Sequence, residues 1–246
     1  MNDQPALKPY ETCVMNTITG ETLRPGGISL TERCLEFCEF PPRSFLLDVG
    51  CGNGTTVKYL REKGFLAYGL DRSLKLLVGP SNTTVRFLAD GQAVPFISGS
   101  IDGIFLECAL SVMEEPKKVL SEIKRLLKPG GLLIVTDMYA RNPSAIGPLR
   151  ATRTGGCFSS ICSRLDISTL IQSIKMEEVI WEDHSEAIRS MMGKIIFEFG
   201  SMERFWSCLF ERSNNSLGNP LNFQLLLTRA RVGYFLMIAQ NPLIVA

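Results

Sequence analysis

Three glycines at alternate positions, Gly50, Gly52 and Gly54, follow an apolar run, Phe45-Leu-Leu-Asp-Val49, that ends one residue past Asp48. Glycine adopts φ > 0 and has no side chain, so a ligand can approach the bare backbone of such a turn. A helix expected over 55–63 would present its first N–H groups to whatever lies there. This is the geometry of a nucleotide site. No Gly-Lys-Ser/Thr follows, which excludes a phosphate-gripping loop, and the G-x-G-x-G spacing departs from the dinucleotide G-x-G-x-x-G. A second apolar run, Leu66–Leu70, ends in Asp71, where an acidic side chain holds a ribose diol in sheets of this type. Both carboxylates fall at carboxyl ends of strands. The expected site is the crevice above a sheet, and the expected ligand is a nucleoside without a pyrophosphate.

The elements that must position these groups alternate strand and helix, which argues for a mainly parallel sheet covered on both faces. Leu30, Cys34, Leu35 and Cys38 recur at helical spacing and predict a helix over 29–39. Val119, Leu120, Ile123, Leu126 and Leu127 do the same over 115–127, and Lys128-Pro-Gly-Gly131 then turns the chain into a fifth strand. Asp166 is placed as the N-cap of a helix over 167–174. A sixth strand is expected over 177–181, a Met- and Phe-rich helical stretch over 186–212, and a last strand over 232–239. Without a repeat, a low-complexity tract or a clear linker, residues 1–246 read as one domain.

Composition bounds the function. A chain of 246 residues can bury one substantial α/β core, and 45% hydrophobic residues suit it. A net charge of +1 gives no electrostatic argument for nucleic acid or membrane. No apolar run approaches the roughly 20 residues of a spanning helix. Met1–Pro5 is polar and lacks a leader's basic and apolar regions. Eight irregularly spaced cysteines fit reduced thiols better than a disulfide framework. The reading is a soluble, cytoplasmic protein.

Asp48-Val-Gly-Cys-Gly-Asn-Gly54, Gly69-Leu-Asp71, Leu88-Ala-Asp-Gly-Gln-Ala-Val-Pro-Phe96, Ser100–Glu107 and Leu127–Asp137 occur in an order that resembles the class I S-adenosylmethionine-dependent methyltransferases, of the type 11 domain kind. The resemblance runs from about Arg24 to the final strand. It implies a Rossmann-like seven-stranded, mostly parallel sheet with an antiparallel last strand, helices on both faces and a helical cap. It further implies a cofactor-covering segment over 1–40, a cofactor-binding half over 41–140, and an acceptor-side half over 141–246 with a lid over 186–212. The implied cofactor is S-adenosylmethionine. Asp71 is assigned to its ribose, with Arg72 beside it, and Asp90 with Gly91 to its adenine amine, although Asp90 could simply form an Asx-turn. Asp48, Gly50, Cys51 and Gly52 are placed near its amino acid moiety. Arg24, in Leu23-Arg-Pro-Gly-Gly27, is expected to offer a planar fork to its carboxylate, the alternative being a surface arginine in a turn. Glu107 is expected to bind the α-ammonium or shape the methyl site, or else to cap a loop.

The acceptor is less legible. The segment after the fourth strand reads Glu107-Cys-Ala-Leu-Ser111, not the Asn/Asp-Pro-Pro-Tyr/Phe of enzymes that methylate adenine or glutamine amino groups. His184, the only histidine, could be a general base oriented by Asp183, or an ordinary loop residue. Cys157 and Cys162, with Cys51 or Cys108, could form a thiol-rich pocket for a soft acceptor such as a metalloid, or be inert buried thiols. No resident metal is assigned. The expectation is methyl transfer to a small molecule, with no nucleic-acid or membrane partner. The alternative is an adenosylmethionine-binding regulatory or partner protein without catalysis.

Overall fold

The computed structural model describes residues 9–78, 85–152, 156–158, 160–212 and 219–243; Met1–Pro5, read above for a leader, lies outside them. In chain order the elements are α1 (Cys13–Thr19), α2 (Gly27–Cys38), β1 (Phe45–Val49), α3 (Thr55–Glu62), β2 (Leu66–Asp71), the single turn α4 (Leu74–Leu77), β3 (Arg86–Leu88) and β4 (Ile101–Glu107). They continue with α5 (Pro116–Leu126), β5 (Leu127–Ala140), α6 (Ile146–Ala151), α7 (Arg164–Ser173), β6 (Glu177–Asp183), α8 (Ser185–Phe199), α9 (Met202–Arg212), α10 (Pro220–Ala230) and β7 (Val232–Gln240).

The strands form one seven-stranded sheet in the order β3-β2-β1-β4-β5-β7-β6. Strands β1 to β5 pair in parallel, whereas β7 runs antiparallel to both β5 and β6. The mostly parallel α/β fold with an antiparallel last strand is therefore present. Strand order reverses between β1 and β4, and in open α/β sheets a crevice forms at the carboxyl ends of the strands where this happens.

Side chains on a strand alternate between faces, and both faces of this sheet are apolar. Leu46, Phe105, Ile134, Leu236 and Ile238 enter a core built with α1, α2, α3, α8, α9 and α10. Their neighbours Leu47, Ile104, Leu106, Leu133, Val135, Phe235 and Met237 enter a second core under α5 and α7. Near-continuous apolar strands are what a sheet covered on both sides requires. Among the described residues no helix is long and apolar enough to cross a membrane.

Local chemistry corrects several boundaries. Asp166 is not the N-cap of α7. Ser163 is, with its hydroxyl accepting from the Asp166 N–H at 3.2 Å, while the Asp166 carboxylate accepts from the Ser163 N–H at 3.0 Å. The reciprocal capping box starts the helix at Arg164. The stretch over 186–212 is two helices, because Gly200, at φ +78°, ends α8 in a left-handed cap. Lys128-Pro-Gly-Gly131 is an excursion within the pairing: Ile101 faces Leu127, but Gly103 already faces Leu132. Ser163→Ala is expected to lower stability by about 1 kcal/mol, measured by urea denaturation, with Thr retaining most of it.

Candidate functional site

The carboxyl ends of β1, β2 and β4 lie side by side, since Asp48 stands between Gly69 of β2 and Phe105 of β4. A cleft of about 150 Å³ opens above them. Asp48, Gly50, Cys51 and Gly52 line it from β1 and its turn, Asp71 and Arg72 from the end of β2, and Asp90 and Gly91 from the loop after β3. Glu107 lines it from β4, and Arg24 from the segment ahead of α2. The tertiary structure thus gathers all of these positions at one cleft.

The glycine turn is pinned tightly. The N–H groups of Gly50 and Cys51 both donate to the Leu70 carbonyl, at 2.8 and 3.0 Å, and that of Gly52 donates to Asp71 Oδ2 at 2.8 Å. Gly50 has φ +81° and Gly52 φ +50°. A Cβ on Gly50 would stand 2.8 Å from that of Ala109, and one on Gly52 would project toward Leu23 and Leu76 in the cleft. The backbone is left bare where a ligand would lie.

Asp71 is nearly buried, and its second oxygen accepts from the Ser73 N–H at 2.8 Å. A carboxylate offers about four lone-pair sites, so Asp71 can accept two further donors, as a diol would supply. Asp48 is 3% exposed and lines the cleft, yet its carboxylate makes no hydrogen bond among the described residues. Burial, and then the Glu107 charge, push its pKa well up, against the pull of Arg24. Asp90 does form an Asx-turn, accepting from the Gln92 N–H at 2.9 Å, while its residue lines the cleft. Arg72 is exposed and stands 3.8 Å from Glu114, a separation at which a surface pair contributes little.

Arg24 is tied to the protein itself. It is 4% exposed, and its Nη2 meets Glu107 Oε2 at 2.8 Å. The same nitrogen donates to the hydroxyls of Thr31 at 2.7 Å and Thr56 at 3.0 Å, and Nη1 donates to the Gly27 carbonyl. Those two hydroxyls in turn donate to the Glu107 carboxylate. Burial opposes the Arg24 charge, but Glu107, with Tyr234 and Asp48 behind it, more than offsets this and raises its pKa. The fork expected to face a ligand carboxylate is engaged with Glu107, because a buried guanidinium is costly unless paired. Thr31 and Thr56 went unremarked in the sequence; a hydroxyl in a helix carries no local mark of such a role.

His184 does not line the cleft. Its Nε2 lies 2.8 Å from Glu182 Oε2, whereas Asp183 accepts from the Tyr139 hydroxyl at 2.7 Å and the Ser185 N–H at 2.8 Å. The expected His184–Asp183 pair is therefore corrected. Alternation at the end of β6 brings residues two apart, Glu182 and His184, together and turns Asp183 away.

A second cavity of about 250 Å³ adjoins the cleft, lined by Met138, Met191, Met202, Phe205, Trp206 and Phe223 among others. Trp206 meets Phe205 and Phe223 edge-to-face at 4.8 and 4.9 Å, and its indole N–H donates to Gln224 at 2.7 Å. Tyr10, Leu23 and Cys157 line both cavities. Tyr10, a residue the sequence did not mark, has its hydroxyl pKa pushed far up, first by burial and then by the charges of Glu11 and Asp71. Cys162 lies elsewhere, with Sγ 3.2 Å from Arg150 Nη2.

Residues 47–135 match the family described as the methyltransferase domain. The chain has the Rossmann-like α/β fold of the methyltransferases, and the matched segment spans its strands β1 to β5. Over 46% of its length it is 35% identical to a demethylmenaquinone methyltransferase of Renibacterium salmoninarum, covering 48% of that protein. The chain spans about half the length of the curated relatives it matches. Among solved structures, the [4+2]-cyclase SpnF superposes with a TM-score of 0.75 at 22% identity, over 96% of this chain and 93% of that one. Phosphoethanolamine N-methyltransferase 2 of Haemonchus contortus, solved with S-adenosyl-L-methionine, gives 0.73 at 17% identity, over 94% and 56%. These likenesses show the fold. Within it, Glu107→Gln is expected to destabilise by about 3–5 kcal/mol by stranding the buried Arg24 charge. An Arg24→Met/Glu107→Leu double variant should recover part of that loss in chemical denaturation.

Proposed function

We propose that the cleft binds S-adenosylmethionine and that the chain transfers its methyl group to a small, largely apolar acceptor held in the adjoining chamber. The observation that carries this reading is the pairing of a polar cleft, bare of side chains at its glycine turn, with an apolar chamber that shares Tyr10, Leu23 and Cys157 with it. The cleft's groups suit the cofactor: Asp71 has acceptor capacity for the ribose diol, Asp90 with Gly91 would meet the adenine, and Asp48, whose carboxyl has no hydrogen-bond partner among the described residues, would face a cation. Arg24 and Glu107 act here by holding one another, and thereby the wall of the cleft, rather than as a free fork and a free carboxylate for the α-ammonium.

When bound, the cofactor supplies an activated sulfonium methyl, so the protein's task is chiefly alignment. Tyr10, Leu23 and Cys157 line the neck across which an acceptor would meet it. The chamber's Met and aromatic lining favours an acceptor with an apolar body and excludes water around it. Relatives named for demethylmenaquinone, malonyl-acyl-carrier protein and tocopherol differ in acceptor, so the lining carries the acceptor class. His184, which lines neither cavity and pairs with Glu182, is assigned no step.

The decisive measurement is transfer of a labelled methyl group from adenosylmethionine into a small-molecule extract, with labelled products expected in the organic phase. Binding without transfer to any pool would favour the non-catalytic reading instead. Asp71→Ala is expected to weaken adenosylmethionine binding by about 1–3 kcal/mol in calorimetry, and an unchanged affinity would refute its role. Burial and the Glu107 charge push the Asp48 pKa up, and a cation bound beside it should pull that pKa down, with release of whatever proton Asp48 holds. The binding enthalpy should therefore vary with buffer ionisation heat, and Asp48→Asn should abolish that variation.

A further inference from the structure

At the neck between the two cavities, three groups to which the methyl-transfer reading gives no chemical step converge. Cys108 follows the end of β4, Asp137 lies on β5, and Cys157 sits on the short turn Gly156–Phe158. The two sulfurs and a carboxylate oxygen all lie within 4.8 Å of one another. Cys157 lines both cavities, and Cys108 lines the cleft. We propose that Cys108, Asp137 and Cys157 form a binding site for a soft, thiophilic divalent cation of the zinc and cadmium type.

The donor set selects that class. Two thiolates favour soft or borderline ions over Mg²⁺ or Ca²⁺, which prefer all-oxygen shells. Three protein ligands leave a tetrahedral ion one open position, here beside the cavities that Cys157 lines. The carboxylate is already oriented. Asp137 is 1% exposed and accepts from the Ser111 N–H at 2.8 Å, the Ser111 hydroxyl at 2.6 Å and the Met138 N–H at 2.7 Å. Such outer partners are what fix a metal-binding carboxylate in place.

Cys108 is held in an unusual backbone conformation, φ +52°, which is unfavourable for a residue with a Cβ. Its sulfur also lies 3.4 Å from the Tyr234 hydroxyl. A divalent cation brings the positive charge that stabilises bound thiolates: two metal–sulfur bonds form, the two S–H bonds break, and both protons pass to solvent, with no change of oxidation state.

The site is independent of the cofactor reading, and it is tested on the full, reduced chain without cofactor. Titration with Cd²⁺, followed by the ultraviolet thiolate-to-metal charge-transfer band, is expected to show one tight equivalent with proton release, and Zn²⁺ should compete where Mg²⁺ does not. Cys108→Ser and Cys157→Ser should each remove that equivalent, Asp137→Asn should weaken it roughly 10–100-fold, and Cys162→Ser and Cys208→Ser should retain it. Cys157 is on a partly exposed turn, so its variant carries the test even if Cys108→Ser does not fold. Cd²⁺ bound equally well by Cys157→Ser, or no tighter by the wild type than by the Cys108→Ser/Cys157→Ser pair, would overturn the proposal.

Discussion

A guanidinium taken out of water must be neutralised nearby, and the partner of Arg24 ties the site together. Arg24 precedes α2, Thr31 lies on α2, Thr56 opens α3, and Glu107 ends β4. One buried network, with side chains 3 and 4% exposed at its ionic centre, binds the N-terminal segment, two helices and the central strands to one another. Ion pairs of this kind contribute little net stability against apolar substitutes, but removing one partner is severe. Their value here is positional. The segment bearing Leu23, which lines both cavities, is fixed over the glycine turn because Arg24 beside it cannot leave Glu107.

The sheet supplies the rigid base. Because β1 is flanked by β2 and β4 in parallel, three carboxylates that are distant in sequence, Asp48, Asp71 and Glu107, emerge at one edge. Their environments then separate them. Asp71 is held by two backbone N–H groups, Glu107 is paired with Arg24, and Asp48 has burial but no partner among the described residues. Similar side chains at one cleft thus have three different chemical characters.

The cleft has the more polar lining and the chamber an apolar one. The cleft is made by strand ends and loops whose backbone N–H groups and carboxylates remain available. The chamber is made by α1, α8, α9 and α10 on one face of the sheet, where Met and aromatic side chains leave about 250 Å³. They meet at Tyr10, Leu23 and Cys157. Cys157 is also the only residue of the Cys108–Asp137–Cys157 group that reaches both spaces.

What could be read from the sequence was encoded locally. Gly50, Gly52 and Gly54 announce a turn that needs positive φ, alternating strands and helices announce a parallel sheet, and acidic residues at strand ends announce a site above it. Each signal spans a few residues and survives without knowledge of neighbours. The Ser163 cap was equally local, but an aspartate can be either an N-cap or the N3 partner of one, so composition alone did not separate the roles of Ser163 and Asp166. The pairing of Arg24 with Glu107, the meeting of His184 with Glu182 rather than Asp183, the chamber around Trp206 and the convergence of Cys108, Asp137 and Cys157 were decided only in three dimensions. They depend on which strands are neighbours and which helices cover which face, and long-range pairing leaves no mark at the residues it joins. By itself the sequence determined the turn, the strand ends and the class of fold; the tertiary structure decided which charges neutralise each other, because burial and distance, not residue type, set that balance.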